Sequence, residues 1–216
     1  MTAKPHDIAP ASPAQARTFA DRIPELIRAT GPVSYDYQFG AGTGLLERLV
    51  AASWRTPDTL FAAAHTTFAT AGDDLLGLEL GFEGPNFYAF KDNLAAMAPD
   101  LIARGVIGLE ELQGLASRAA KASYLNAHVP AGVYYLHALS IPPEHRGKGV
   151  GKALLGAAIA RARAAGYAEL QLDVLADNPA VGFYQAMGLG ILAEIRSPEL
   201  SRDHGFPSEL RMGIVL

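Results

Sequence analysis

The stretch VYYLHALSIPPEHRGKGVGKALL, residues 133–155, decides the fold. Its first nine residues are β-branched, aromatic and apolar and run into Pro142-Pro143, which no central strand continues through. They therefore read as a strand. Downstream, Leu155, Ala158, Ile159 and Ala162 recur on one helical face, and Gly166 stands where a helix ends. AELQLDVL (168–175) then alternates Leu170, Leu172 and Val174 inward against Glu169, Gln171 and Asp173. Strand, helix, strand at these lengths is a βαβ unit, so the two strands are expected to be parallel with a right-handed crossover.

At the junction of the first strand and the helix lies HRGKGVGK, residues 145–152. A Walker A loop would need glycine at 146 and Ser or Thr at 153, where Arg146 and Ala153 stand. A dinucleotide fingerprint beginning at Gly147 would need glycine at 152, which is Lys152. What remains is Gly147, Gly149 and Gly151 alternating with Lys148 and Val150. Unobstructed N–H groups at a helix N-terminus bind phosphate oxygens, and Arg146, Lys148 and Lys152 add positive charge to an otherwise acidic chain. A pyrophosphate fits that description.

A second glycine loop, FGAGTGLL (39–46), is similar to the first motif of S-adenosylmethionine methyltransferases, in which glycines let the backbone turn beside the cofactor. That motif wants an acidic residue two places before the first glycine, and Gln38 stands there, with Asp36 two positions earlier. The preceding VSYDYQ is a poor strand, and no acidic residue ends the next predicted strand to hold ribose hydroxyls. The preferred reading is structural: a helix start with Thr43 or Gly44 near the cap.

IPPEHRGKGVGKALL resembles motif A of the GNAT N-acetyltransferase superfamily: an apolar strand end, a proline, then Arg/Gln-x-x-Gly-x-Gly/Ala, here Arg146, Gly149 and Gly151. DNPAVGFYQAMGL (177–189) resembles the same family's second signature, in which an Asn, here Asn178, caps a short helix carrying Phe-Tyr and ending in Gly. The resemblance is strong over 133–193. It implies a mixed, mostly antiparallel central sheet of about seven strands with flanking helices, splayed between strands four and five. The departure from the family is a helical segment, 86–128, between strands three and four.

The rest of the chain fits that order. DIAPASPAQARTFADRI (7–23) reads as a strand leading into a helix that ends near Gly31-Pro32, and Leu45 to Trp54 as a second helix. Residues 60–84 read as a hairpin turning at Gly72, Asp73 and Asp74. Residues 86–128, broken at Pro99, Gly105 and Gly108, read as two or three short helices. GILAEIR and ELRMGIVL read as the closing strands. With 216 residues, half of them apolar, residues 1–216 can bury a core as one domain with 86–128 as an insertion.

Composition narrows the function. A formal charge of −4 and a pI near 5.8 give no electrostatic case for nucleic acid. No apolar run reaches the length of a membrane helix, and the opening MTAKPHDIAP lacks a secretory pattern, so a cytoplasmic protein without membrane contact is expected. Cysteine is absent and the six histidines show no short metal-ligand spacing, so no metal is expected.

The resemblance implies acetyl-CoA, or a related acyl-CoA, as cosubstrate, held where strands four and five part. Backbone groups around Leu139, Ser140 and Ile141 would pair with the pantetheine arm, and Arg146, Gly147, Lys148, Gly149, Val150, Gly151 and Lys152 would take the pyrophosphate, with Asn178 and Tyr184 on the far side. Leu139 and Ile141 also suit ordinary core packing. The family reaction is direct attack by an acceptor amine, of a small molecule or a peptide, on the thioester. Tyr184, matching the family's tyrosine, is assigned as general acid to the thiolate, against a packed core aromatic. His137, read by alternation onto the face of Leu139 and Ile141, is the candidate base, against a satisfied buried histidine. Glu79 and Glu83 are weaker candidates for that role. Arg161 and Arg163 read as a contact for the 3′-phosphate or as solvated helix residues. Residues 86–128 are expected to wall the acceptor site, with Tyr88, Asp92 and Tyr124 as polar contributors. The family also brings the prospect of a homodimer. Two other classes stand beside this one: an acyl-CoA-binding sensor without catalysis, and the methyltransferase that FGAGTG would require.

Overall fold

The computed structural model of the chain describes residues 6–216. Residues 1–5, on which part of the reading against a secretory segment rests, lie outside them. The architecture is mixed α/β. Seven strands form one sheet: β1 (Asp7–Pro10), β2 (Thr66–Ala71), β3 (Asp74–Glu83), β4 (Val133–Ser140), β5 (Glu169–Leu175), β6 (Gly190–Ile195) and β7 (Glu209–Val215), in the order β1-β2-β3-β4-β5-β7-β6. Only β4 and β5 are parallel; every other pairing is antiparallel. The expected βαβ unit is present, with α8 (Val150–Ala164) as its crossover.

On one face lie α1 (Pro13–Thr18), α2 (Ile23–Arg28), α3 (Pro32–Phe39) and α4 (Leu45–Trp54), followed by the inserted α5 (Asn86–Ala96), α6 (Ala98–Ala103) and α7 (Leu109–Ala122). Ile23, Ile27, Leu49 and Trp54 close with Phe68, Leu78, Leu80 and Phe82 into the larger core. α8 and α9 (Ala180–Ala186) cover the opposite face, where Leu155, Ala158 and Ala162 meet Leu170, Leu172 and Met212. Burying these side chains on both faces of the sheet is the main favourable term in folding, at roughly 1.5–3 kcal/mol for each large apolar group.

Three elements differ from the sequence reading. The first helix is broken: a 3₁₀ turn over Ala20–Arg22 separates α1, started by the Ser12–Gln15 capping box, from α2. VSYDYQ, a poor strand by sequence, is most of an unexpected helix, α3, with Pro32 in its first turn. An additional helix, α10 (Pro198–His204), fills the connection from β6 to β7; the Ser197 hydroxyl accepts from the Leu200 N–H, and Pro198 opens the helix.

Because α3 precedes it, FGAGTG joins two helices instead of following a strand. Gly40, Gly42 and Gly44 all take positive φ there, and the Thr43 hydroxyl accepts from the Leu45 N–H at 3.3 Å. Arg118 of α7 donates to the Gln38 carbonyl and secures the connection.

Candidate active site

β4 and β5 begin as neighbours and then part. Pairing covers only Val133–Tyr135 against Glu169–Gln171, although β4 continues to Ser140 and β5 to Leu175. From Leu136 onward, the edge of β4 that faces β5 has no strand partner. A wedge opens between the two strands. It widens into a cleft of about 890 Å³ lined by both strands, the loop before α8, the start of α9 and residues 29–33.

A bulge in β4 aims the residues at the wedge. Leu80 is opposite Ala138 and Gly81 is opposite Leu136, so His137 is the extra residue. Strict alternation would place His137 with Leu139 and Ile141; the bulge turns it to the other face. It lies there among Phe61, Phe82, Phe87 and Tyr135, while Leu139 and Ile141 pack with Val150 and Leu154 beneath α8. Burial among these rings disfavours the imidazolium and lowers the His137 pKa to about 4. Its Nε2 is out of solvent and has no hydrogen-bond partner among the described residues.

The loop before α8 is shaped as its glycines require. Gly147 and Gly149 have φ of +71° and +84°, and Gly149 caps the helix in the left-handed conformation. A Cβ on Gly149 would meet nothing within 4 Å, so its open side faces the cleft; one on Gly151 would stand 3.2 Å from Ile141 Cδ1, so that glycine lets the helix approach β4. The first hydrogen bond of the helix runs from the Ala153 N–H to the Gly149 carbonyl, which leaves the preceding N–H groups free. Arg146 donates through Nε to the Ile141 carbonyl at 2.9 Å and keeps its terminal nitrogens for a ligand. The free donors, the positive end of the helix and the cations Arg146 and Lys152 fit a diphosphate.

Most of the expected site residues come together. His137, Leu139, Ser140 and Ile141 line the cleft from β4; Arg146, Gly147, Gly149, Val150, Gly151 and Lys152 line it from the loop and α8. Asn178 and Tyr184 close the opposite side, where the Asn178 side chain accepts from the Ala180 N–H at 2.9 Å and donates to the Thr30 carbonyl. Lys148 is the exception: it is exposed and outside the lining, with its carbonyl 3.3 Å from His6 Nε2. Tyr184 is buried, and with no partner for its hydroxyl, burial pushes its pKa to about 12.

The weaker candidates lie elsewhere. Glu79 is fully buried beneath α8, accepting from the Tyr134 hydroxyl at 2.6 Å and paired with Arg161. Arg161 is thus partly exposed but engaged through Nη2 with Glu79, and it is not among the residues that line the cleft. Glu83 is exposed at the end of β3, and Tyr88 bonds His128 and the Val129 N–H. Neither they nor Asp92 and Tyr124 line this cleft or the cavity that adjoins it.

A second cavity of about 190 Å³ adjoins the cleft, sharing Thr30, Gly31, His137, Asp173, Val174 and Leu175 with it. Its far walls are α3 and the insertion, which contributes Phe87, Lys91 and Leu94 from α5 and Ala119 and Ala122 from α7. Sequence reasoning missed the polar group on this side, in which Asp173 and Glu209 line the cavity and Arg211 stands behind them. Arg211 and Asp173 form a buried ion pair on adjacent strands, with Nε to Oδ1 at 2.5 Å, and the Tyr135 hydroxyl donates to the same carboxylate at 2.8 Å. Glu209 lines the cavity beside this pair and makes no side-chain hydrogen bond among the described residues; burial and the Asp173 charge raise its pKa to about 8. The inward pattern of ELRMGIVL was legible, but nothing local distinguished Arg211, which finds a partner, from Glu209, which does not.

Comparisons with known proteins agree with this geometry. The model of the acetyltransferase (GNAT) family matches residues 82–189, half of the chain. A search of curated proteins by sequence found no match. Among solved structures, an N-acetyltransferase from Staphylococcus aureus Mu50 is similar at a TM-score of 0.70 and 13% identity, over 96% of this chain and 100% of its own. A GCN5-related N-acetyltransferase from Kribbella flavida follows at 0.57 and 18%, over 98% of each chain. A NatC complex bound to Gag peptide and CoA gives 0.54 and 13%, over 98% of each. At such identities these structures speak for the fold, and it is the family match, laid over β4, the glycine loop, α8, β5 and α9, that makes this chain a member of the GNAT acetyltransferase family.

Proposed function

We propose that the protein is an N-acetyltransferase that moves an acetyl group from acetyl-CoA directly to a primary amine of a small molecule or peptide, acting as a soluble cytoplasmic enzyme. The observation that carries the proposal is the parting of β4 from β5 beside a glycine loop at the start of α8, which opens a cleft of about 890 Å³ with the loop at one side. The related NatC complex, solved with CoA, supports the same donor.

In this reading the N–H groups at the start of α8, with Arg146 and Lys152, bind the pyrophosphate. The unpaired edge of β4 from Leu136 to Ser140 takes the pantetheine amides as an added strand would. That delivers the thioester to the inner end of the wedge, between Tyr184 and the bulge at His137. An amine of lysine-like basicity, pKa ~10.4, is almost wholly protonated at neutral pH, so catalysis needs a proton acceptor for the amine and a donor for the leaving sulfur. Tyr184 remains protonated throughout the working pH range and donates to the sulfur as the C–S bond breaks. His137, neutral above a pH of about 4, is too weak a base to store the proton and instead accepts a hydrogen bond from the incoming nitrogen.

Calorimetric titration with acetyl-CoA tests the proposal, with S-adenosylmethionine as the competing ligand and a variant carrying Arg146→Ala and Gly149→Ala. Acetyl-CoA binding that the variant loses, followed by transfer to amines, is the expected result. Binding of S-adenosylmethionine instead would overturn it, and acetyl-CoA binding with no transfer to any amine would leave a sensor.

A further inference from the structure

The second cavity is lined by two polar side chains, Glu209 and His137, that have no hydrogen-bond partner among the described residues. Glu209 stands next to a guanidinium yet receives nothing from it. Arg211 has five N–H donors, and all are engaged: Nε and one Nη2 hydrogen with Asp173, the other Nη2 hydrogen with the Ala127 carbonyl, and the two on Nη1 with the His128 carbonyl and Gln171 Oε1. The Tyr135 hydroxyl is also committed to Asp173, and the neighbouring Ser208 hydroxyl donates to Glu194. Glu209 is partly buried in the cavity wall with no donor of its own among the described residues, and such a group is a candidate for a donor supplied by a ligand. Across the same cavity, the buried Nε2 of His137 is also without a partner. A primary ammonium carries three N–H donors, the kind of group that both acceptors lack.

The remaining walls describe the rest of the ligand. Tyr35, Phe39, Phe61 and Phe87 surround the cavity with aromatic surface, and at about 190 Å³ it lies below the usual range for a drug-sized ligand. Lys91, exposed on α5, is the one Lys or Arg in the lining, and it disfavours a second positive charge on the ligand.

We propose that Glu209 anchors the acceptor's ammonium group and takes its first proton, and that the acceptor is a small primary monoamine with an apolar or aromatic body. This rests on the acetyl-transfer reading above. The ammonium gives one proton to the Glu209 carboxylate; the free amine attacks the thioester carbonyl, the C–N bond forms and the C–S bond breaks. The nitrogen's second proton ends on the CoA sulfur by way of Tyr184, and Glu209 returns its proton to water before the next turnover. The raised pKa of Glu209 suits a group that must both accept and release a proton near neutrality.

The test compares the parent with Glu209→Gln and Glu209→Asp in steady-state acetylation of phenethylamine, 1,4-diaminobutane and a short neutral peptide with a free N-terminus. Calorimetry with acetyl-CoA and thermal unfolding accompany each protein. We expect the parent to prefer phenethylamine. Glu209→Gln should remain folded and bind acetyl-CoA as the parent does, while its KM for phenethylamine rises about tenfold or more. It should also lose the limb of the kcat/KM profile near pH 8, with Glu209→Asp restoring part of the activity. Unchanged amine KM and pH profile in a folded Glu209→Gln would overturn the role of Glu209, and preference for the diamine or peptide would overturn the acceptor class. A parent that binds no acetyl-CoA, or binds it and acetylates no amine, is a different failure: the acetyl-transfer reading itself falls, and this inference with it.

Discussion

Two side chains of the site have their chemistry set by burial more than by residue type. Tyr184 was legible in the sequence because its Phe-Tyr pair lies in a short local motif, and the structure puts it on the wall of the cleft. If it supplies the sulfur's proton, Tyr184→Phe lowers kcat by about a hundredfold and leaves acetyl-CoA affinity intact; a change of KM alone would point to packing. Glu209 was not legible, since its partnerless state depends on where the donors of Arg211 go. Its titration makes a separate prediction for stability. The folded-state pKa, about 8, lies above the 4.5 of an ordinary glutamate, so the folded protein binds more protons than the unfolded chain between those values. Stability from this group is therefore fully present below pH 4.5 and lost as pH rises through 8. Glu209→Gln, which never charges, should match the parent near pH 5 and exceed it at pH 8.5 by a few kcal/mol, with roughly 1.4 kcal/mol per pKa unit as the upper bound. Thermal unfolding at the two pH values measures the gap.

Elements were legible where their signals are local and obscure where pairing decides. The period of AELQLDVL, the helix over Leu45–Trp54 and the glycines before α8 all carry their structure within a few residues. The bulge in β4 does not: VYYLHALS alternates without interruption, and only the register against β3 shows that His137 is the extra residue. VSYDYQ read as a poor strand, and the helix it forms was not legible because its Tyr and Val residues carry no helical signal while Pro32 in the first turn and the packing of Phe39 into the core do. The glycine loop yields the prediction at this scale. Gly149 needs its positive φ but has open space where a side chain would begin, so Gly149→Ala costs about 1–2 kcal/mol of backbone strain, a drop in Tm of roughly 2–8 °C. The same methyl group would intrude where the pyrophosphate is proposed to lie. The loss of acetyl-CoA affinity should therefore exceed the loss of stability. Gly151→Ala reverses the pattern, since its Cβ would press on Ile141 inside the core. Calorimetry and thermal unfolding of the two variants side by side separate the ligand-facing glycine from the packing glycine.

Across the whole molecule, the insertion and the last strand are coupled through one guanidinium. The helical character of 86–128 was readable from composition, but its attachment was not, because Arg211 is more than eighty residues away from the carbonyls of Ala127 and His128 that it holds. Those two bonds tie the end of the insertion to β7, and the Asp173 pair ties β7 to β5, so the sheet and the wall of the second cavity share one polar centre with 4% and 5% of its two side chains exposed. Removing one partner of such a pair strands a charge and leaves carbonyls unpaired, at a cost of roughly 3–5 kcal/mol, whereas removing both removes the stranded charge. Arg211→Met should therefore be strongly destabilised in denaturant unfolding, and the double variant Arg211→Met with Asp173→Asn should recover part of the loss. Function should not follow stability. Neither variant restores the bonds to Ala127 and His128, so both should lose more amine affinity than acetyl-CoA affinity, since the proposed pyrophosphate contacts come from the loop and the start of α8. Equal loss of the two ligands in the recovered double variant would mean that the polar centre supports the entire wedge and not the insertion alone.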